Sequence, residues 1–182
     1  RMIGAFAESV GQSTDLTQVG EYILRILSEQ LRLPKAAIWI REANGEYHLL
    51  ASLGHRTLAA LPASLPDNHA LITGLSDRLH LLRYDQASSS PAGSAMISIQ
   101  AAVCLPLRNK TQFLGLCALG PIGTECHLDE DTVIIAETVA RIACNTLDHH
   151  LAQDDLRRSS TLMRRTDRLR SLEIMAGGFA HE

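Results

Sequence analysis

Residues 101–120, AAVCLPLRNKTQFLGLCALG, alternate in side-chain character on either side of a short polar stretch. A strand turns successive side chains to opposite faces, so a period of two around a polar turn predicts an antiparallel hairpin. The alternation places Val103, Leu105 and Leu107 on one face and Cys104 on the other. With the turn centred near Lys110 and Thr111, Cys104 falls directly opposite Cys117 on one face of the sheet. Two thiols so placed are a candidate redox pair or soft-metal site. The plainer account is two small apolar fillers, because cysteine is among the most buried of residues.

The rest of the chain supplies partners for that hairpin. In STDLTQVGEYILRILSEQLRLP, residues Leu16, Val19, Ile23, Ile26, Leu27 and Leu31 share one helical face, with Ser13, Thr14 or Asp15 as N-cap and Pro34 beyond the end. Two short runs, KAAIWIRE and EYHLLASLG, flank ANGE, whose Asn-Gly pair accepts positive φ cheaply, so they predict a first hairpin. Residues 55–100 contain Pro62, Pro66, Pro91 and the small-residue loop ASSSPAGS; they read as a short helix, an edge strand near Leu79 to Tyr84, and a mobile crossover. After PIGTECHLDED, about fifty residues without proline form one long helical region capped by Asp129 or Asp131. Residues 1–12 are left as an N-terminal helix or linker. This order implies an α+β domain: an antiparallel sheet with helices packed on one face and a covered concavity on the other.

Composition narrows the function. At 182 residues and 46% hydrophobic, the chain can bury one sizeable core with an appended segment. A net charge of -3 offers no general attraction to nucleic acid. The basic run LRRSSTLMRRTDRLR is broken by Asp167 and preceded by Asp154 and Asp155, so it reads as a solvated helix face. Cysteines at 104, 117, 126 and 144 lack metal-ligand spacing, and no metal site is expected. With no secretory signal, a reducing cytoplasm is the expected location. No apolar run approaches the twenty or so residues that span a bilayer. Beginning at Arg1 and ending at a motif, the sequence reads as an excised fragment whose parent can carry a membrane anchor upstream.

The stretch AAVCLPLRNKTQFLGLCALGP, followed by HLDEDTVIIAETVARIACNTL, resembles the second half of a GAF domain. Pro106, Leu107, Gly115, Asp131 and Ala140 carry the match. The resemblance implies a GAF/PAS-like sensor domain over residues 13–148 that receives a signal in the concavity beneath residues 55–100. Its ligand is left open. NKTQF and DED differ from the cyclic-nucleotide motif of the family, because Asn109 and Lys110 occupy the turn itself and His127 replaces the phenylalanine. Cys126-His127 follows the second hairpin, whereas bilin attachment needs its cysteine before it. Haem would draw an axial ligand from His55, His69 or His80, each more simply a surface residue. Only 4% of the residues are aromatic, which favours an empty or small pocket. Two alternatives stand beside a small-molecule sensor: a ligandless dimerisation and transmission module, and an enzyme like the GAF proteins that reduce free methionine sulfoxide with cysteines.

At the other end, LRSLEIMAGGFAHE resembles the H-box of sensor histidine kinases. The resemblance implies that His181 is the phosphoacceptor and that neighbouring Glu182 acts as its acid/base partner. On a helix advancing about 100° per residue, Leu169, Met175, Ala176 and Phe179 lie within about 60° of Leu172, while His181 lies about 180° away. The stripe packs, and the imidazole faces outward. Gly177 and Gly178 each cost about 1 kcal/mol relative to alanine, which suits a helix that bends near its reactive residue. Leu162, Leu169 and Ala176 share one heptad position and Leu172 and Phe179 another, whereas Leu156 and Met163 fit a shifted frame. Residues 149–170 are therefore expected to form a signalling coiled-coil helix joining two copies, and 171–182 the truncated start of a dimerisation and phosphoacceptor domain. The parent kinase would use ATP and Mg and hand the phosphoryl group to a response regulator; this segment, lacking the ATP-binding domain, is expected to be inactive alone.

Overall fold

The computed structural model describes residues 16–55, 61–109, 111–122 and 129–179, except the side chains of 154, 155, 157, 158 and 165–179. Helix α1 (Leu16–Leu31) buries Val19, Ile23, Leu24, Leu27 and Leu31. Leu24 takes the inner position expected of Ile26, which is only half-buried. The expected caps Ser13, Thr14 and Asp15 lie outside the described residues. Strands β1 (Lys35–Arg41) and β2 (Tyr47–Leu53) form the first hairpin, and Gly45 in its turn takes φ +88°, open to glycine at little cost.

Between the hairpins the chain folds more than its sequence led us to expect. Strand β3 (Ser64–Leu65), helix α2 (Ala70–Leu75), strand β4 (Leu82–Arg83), and helices α3 (Tyr84–Ala87) and α4 (Pro91–Ser98) follow in turn. The edge strand appears where it was expected, shortened to two residues. The small-residue stretch is helical from Pro91, because Ser90 caps it: its hydroxyl accepts from Gly93 N at 3.2 Å and Pro91 occupies the first turn. Strands β5 (Val103–Arg108) and β6 (Phe113–Gly120) form the second hairpin, and α5 (Glu130–Phe179) is the last element. Asp129, rather than Asp131, caps α5, its carboxylate accepting from Thr132 N at 2.8 Å.

The six strands form one antiparallel sheet in the order β3-β2-β1-β6-β5-β4. One face presents Ala37, Trp39, Tyr47, Cys104, Leu116 and Ala118 to the elements between the hairpins. The alternate residues, Ile38, Leu105 and Cys117 among them, are buried on the opposite face, the one that α1 covers. Gly115 lies where β6 meets β1 so closely that a Cβ would stand 2.0 Å from the carbonyl oxygen of Trp39. Proline is tolerated in β5 because β4 pairs only with Val103 and Cys104. Past that point no described strand adjoins β5 on that side, so the missing N–H of Pro106 removes no ladder bond.

Register in the second hairpin differs from the expected one by a residue. Arg108 pairs with Phe113, but Leu107 pairs with Gly115, leaving Leu114 as the extra residue of a bulge in β6. Cys104 therefore sits opposite Ala118, and Cys117 opposite Leu105. A one-residue slip exchanges faces, so the two thiols lie on opposite sides of the sheet instead of side by side.

Contacts divide the chain into two compact units, one ending at Leu147 and the other beginning at Asp148. In the first, α5 buries Ala136, Ala140, Ala143, Cys144 and Leu147. In the second, Leu156, Leu162 and Met163 are 71%, 63% and 71% exposed.

Candidate functional site

Among the described residues, the concave face, where the sequence placed signal reception, is packed by the protein's own side chains. Leu71, Leu75 and Met96 from the crossover helices are wholly buried against Trp39 and Leu116 of the sheet. Trp39 has no exposed surface, and its indole Nε1 donates to Pro62 O at 3.0 Å, fastening the crossover to the sheet centre. Ile99 and Leu61 close the layer from the side. The crevice left beside Lys35, His55 and Gln100 is too narrow for a water molecule. Its polar rim is satisfied, with Lys35 Nζ donating to Gln100 Oε1 at 2.6 Å. Burial, and then the Lys35 charge, hold the His55 imidazole below its ordinary pKa.

The three histidines considered as haem ligands are not brought together. His69 is the N-cap of α2, its Nδ1 accepting from Leu71 N at 3.3 Å, and burial lowers its pKa. His80 is held at the carboxylate of Glu137, and His55 lies beside Lys35. Among the described residues no cluster of three His, Cys, Asp or Glu side chains could hold a metal.

Cys104 and Cys117 are free and buried. Because Cys104 pairs with Ala118 and shares no face with Cys117, the geometric premise for a redox pair is removed. Burial pushes the Cys104 thiol up to about 12, and pushes Cys117 up as well, with Cys104 and Cys144 adding to its shift. Neither is a nucleophile near neutral pH, since the thiolate is the reactive form. His181 and Glu182 lie outside the described residues, as do Cys126 and His127.

An unexpected feature lies along the open edge of β5. A groove of about 630 Å³ runs between α5, the end of β5, and the segment 76–81. Leu105 and Pro106 form its floor. From α5, Ile134, Thr138, Arg141 and Asn145 line one wall, spaced by single turns of the helix. Leu79 and His80 stand on the opposite side. Glu137 bridges the two walls: its carboxylate accepts from Leu81 N at 3.1 Å and lies 3.1 and 3.2 Å from His80 Nδ1. Arg108 Nη1 donates to Ser76 O, drawing the same segment toward β5. The sequence held one signal for this groove. Val133, Ile134, Ile135 and Ala136 are four consecutive apolar residues on a helix, more than a single buried face can absorb, so some of the run had to stay outside.

No protein-family model matches the chain, and no curated protein sequence matches it. Solved structures do match. The GAF domain of a phosphoenolpyruvate-protein phosphotransferase from Acinetobacter superposes with a TM-score of 0.65 at 14% identity, over 83% of this chain and 93% of that one. A domain of a two-component sensor histidine kinase protein from Sinorhizobium meliloti 1021 gives 0.55 at 16% identity, over 77% and 96%. Type II free methionine-R-sulfoxide reductase from Thermoplasma acidophilum gives 0.55 at 14%, over 75% and 97%. The fold is GAF-like, as these neighbours share it. Among the described residues no helix is long and apolar enough to cross a membrane.

Proposed function

We propose that this chain is the sensory and dimerisation region of a sensor histidine kinase, passing a signal from its GAF-like domain through a coiled-coil helix to the phosphoacceptor His181. The observation that carries the reading is the pairing of a GAF-like fold with the terminal sequence LRSLEIMAGGFAHE. The exposed side chains of Leu156 and Met163, seven residues apart and so on one face of the helix, support a homodimer through it, because apolar residues at that spacing gain most by facing a second copy. The parent kinase would bind ATP and Mg on another domain and serve a response regulator, with Glu182 polarising the imidazole of His181. The test is label from γ-labelled ATP in the kinase that carries this region. Incorporation into wild type and none into His181→Ala is expected; equal labelling of the variant refutes the assignment.

The packing of that face by the described residues favours a second reading of the GAF-like domain itself, as a transmission module that takes no ligand between its sheet and crossover. A reductase reading is disfavoured by thiols that burial keeps protonated. Turnover of free methionine-R-sulfoxide, lost on Cys104→Ser, would reinstate it.

A further inference from the structure

We propose that the groove between α5, the open edge of β5 and the segment 76–81 binds a small amphipathic carboxylate. At about 630 Å³ it falls in the range of small-molecule sites. Leu79 and Ile134 are 74% and 55% exposed, and both border this groove over the apolar floor of Leu105 and Pro106. Isolated exposed apolar side chains are ordinary, but two that border one groove offer apolar surface to a single occupant.

Charge selects the head group. Arg141 lines the groove, and among the described residues no carboxylate forms an ion pair with it. Thr138 and Asn145, one turn to either side, add hydrogen-bonding groups beside the guanidinium. A guanidinium fits a carboxylate with two parallel hydrogen bonds. Glu137 shares the groove, its charge met by His80 and the Leu81 N–H, so a monoanion meets less repulsion there than a dianionic phosphate. An occupant would touch both the segment 76–81 and α5, the helix that leads toward His181. Its role as a signal rests on the histidine kinase reading above; the binding itself does not.

The experiment is isothermal titration of the full chain with 4-phenylbutyrate, set beside 4-phenylbutanol and 4-phenylbutylamine, which keep the apolar body and change only the head group. Saturable binding of the carboxylate is expected, with the alcohol about tenfold weaker and the amine weaker still. Arg141→Gln should weaken the carboxylate about tenfold while leaving the alcohol unchanged. Ile134→Gln should weaken both. Both side chains are exposed, so each variant should keep the wild-type melting temperature, checked in the same samples. No saturable binding, equal binding of all three compounds, or indifference to Arg141→Gln overturns the proposal. So does sedimentation showing that a second copy covers the groove, with Ile134→Gln releasing monomers. No ATP enters the measurement, so a negative result leaves the labelling test of His181 untouched, and failure at His181 leaves this one standing.

Discussion

Replacing Trp39 with phenylalanine tests whether the concave face is a packed core. The indole has no exposed surface and donates a 3.0 Å hydrogen bond to Pro62 O, so the variant loses both a bond and some of its packing. The unmade bond costs about 1 kcal/mol. The space vacated by the smaller ring adds about 1 to 2 kcal/mol, because tightly packed neighbours relax only incompletely. A total near 2 to 3 kcal/mol should shift the urea midpoint by about 1 M at unchanged slope. Trp39→Ala, emptying more of the layer, should cost about 3 to 5 kcal/mol. Unfolding must be followed by far-ultraviolet circular dichroism, because Trp39 is the one tryptophan of the chain and the variants lose its fluorescence. A loss below about 0.5 kcal/mol for the phenylalanine variant would mean the indole sits in a loose, adaptable space, contradicting a filled face.

Gly115→Ala should destabilise by about 3 kcal/mol or more, since its Cβ would meet the Trp39 carbonyl oxygen at 2.0 Å and must push β6 away from β1; a midpoint within about 0.5 kcal/mol of wild type defeats this. Cys104 and Cys117 should resist alkylation in the native protein near pH 8 and react on unfolding, as mapped by mass spectrometry; prompt native labelling contradicts their burial. Their folded pKa values are raised, so the stability they contribute is full below the ordinary thiol value of 9.0 and is lost as pH climbs toward 12, at about 1.4 kcal/mol per pH unit for each thiol. His69 has a lowered folded pKa, so its contribution is full above 6.5 and lost as pH falls through the folded value. His69→Asn keeps a side-chain acceptor for Leu71 N, so its melting temperature should fall less than that of wild type between about pH 7 and pH 5, and an equal fall refutes the assignment.

Periodicity made both hairpins and α1 legible, because each buries one face in the same layered core. What periodicity could not carry was the bulge at Leu114. Strand alternation looks the same on either side of one extra residue, so the turn was correctly centred while everything beyond it slipped, and Cys104 met Ala118. The crossover was under-read for another reason. Helices as short as α2 and α4 show only a turn or two of pattern, and the signals that specify them are the caps His69 and Ser90 rather than apolar spacing. The groove was invisible because it joins residues some sixty apart, from Leu79 to Asn145, through a sheet edge whose exposure depends on how soon β4 ends. The terminal His181 and Glu182 rest on sequence alone, since they lie outside the described residues.

Up to Leu147, the inner face of α5 in the first unit is built from Ala136, Ala140, Ala143 and Cys144, side chains too short to interlock deeply with whatever they touch. Smooth surfaces of that kind resist axial sliding weakly. Glu137 supplies what they lack, a directional tether to the amide of Leu81. A turn of α5 by one residue, about 100°, would swing that carboxylate out of reach. The helix is thereby indexed like a shaft on a key, free to glide a little and costly to spin, and any agent that frees the carboxylate from Leu81 unlocks its rotation.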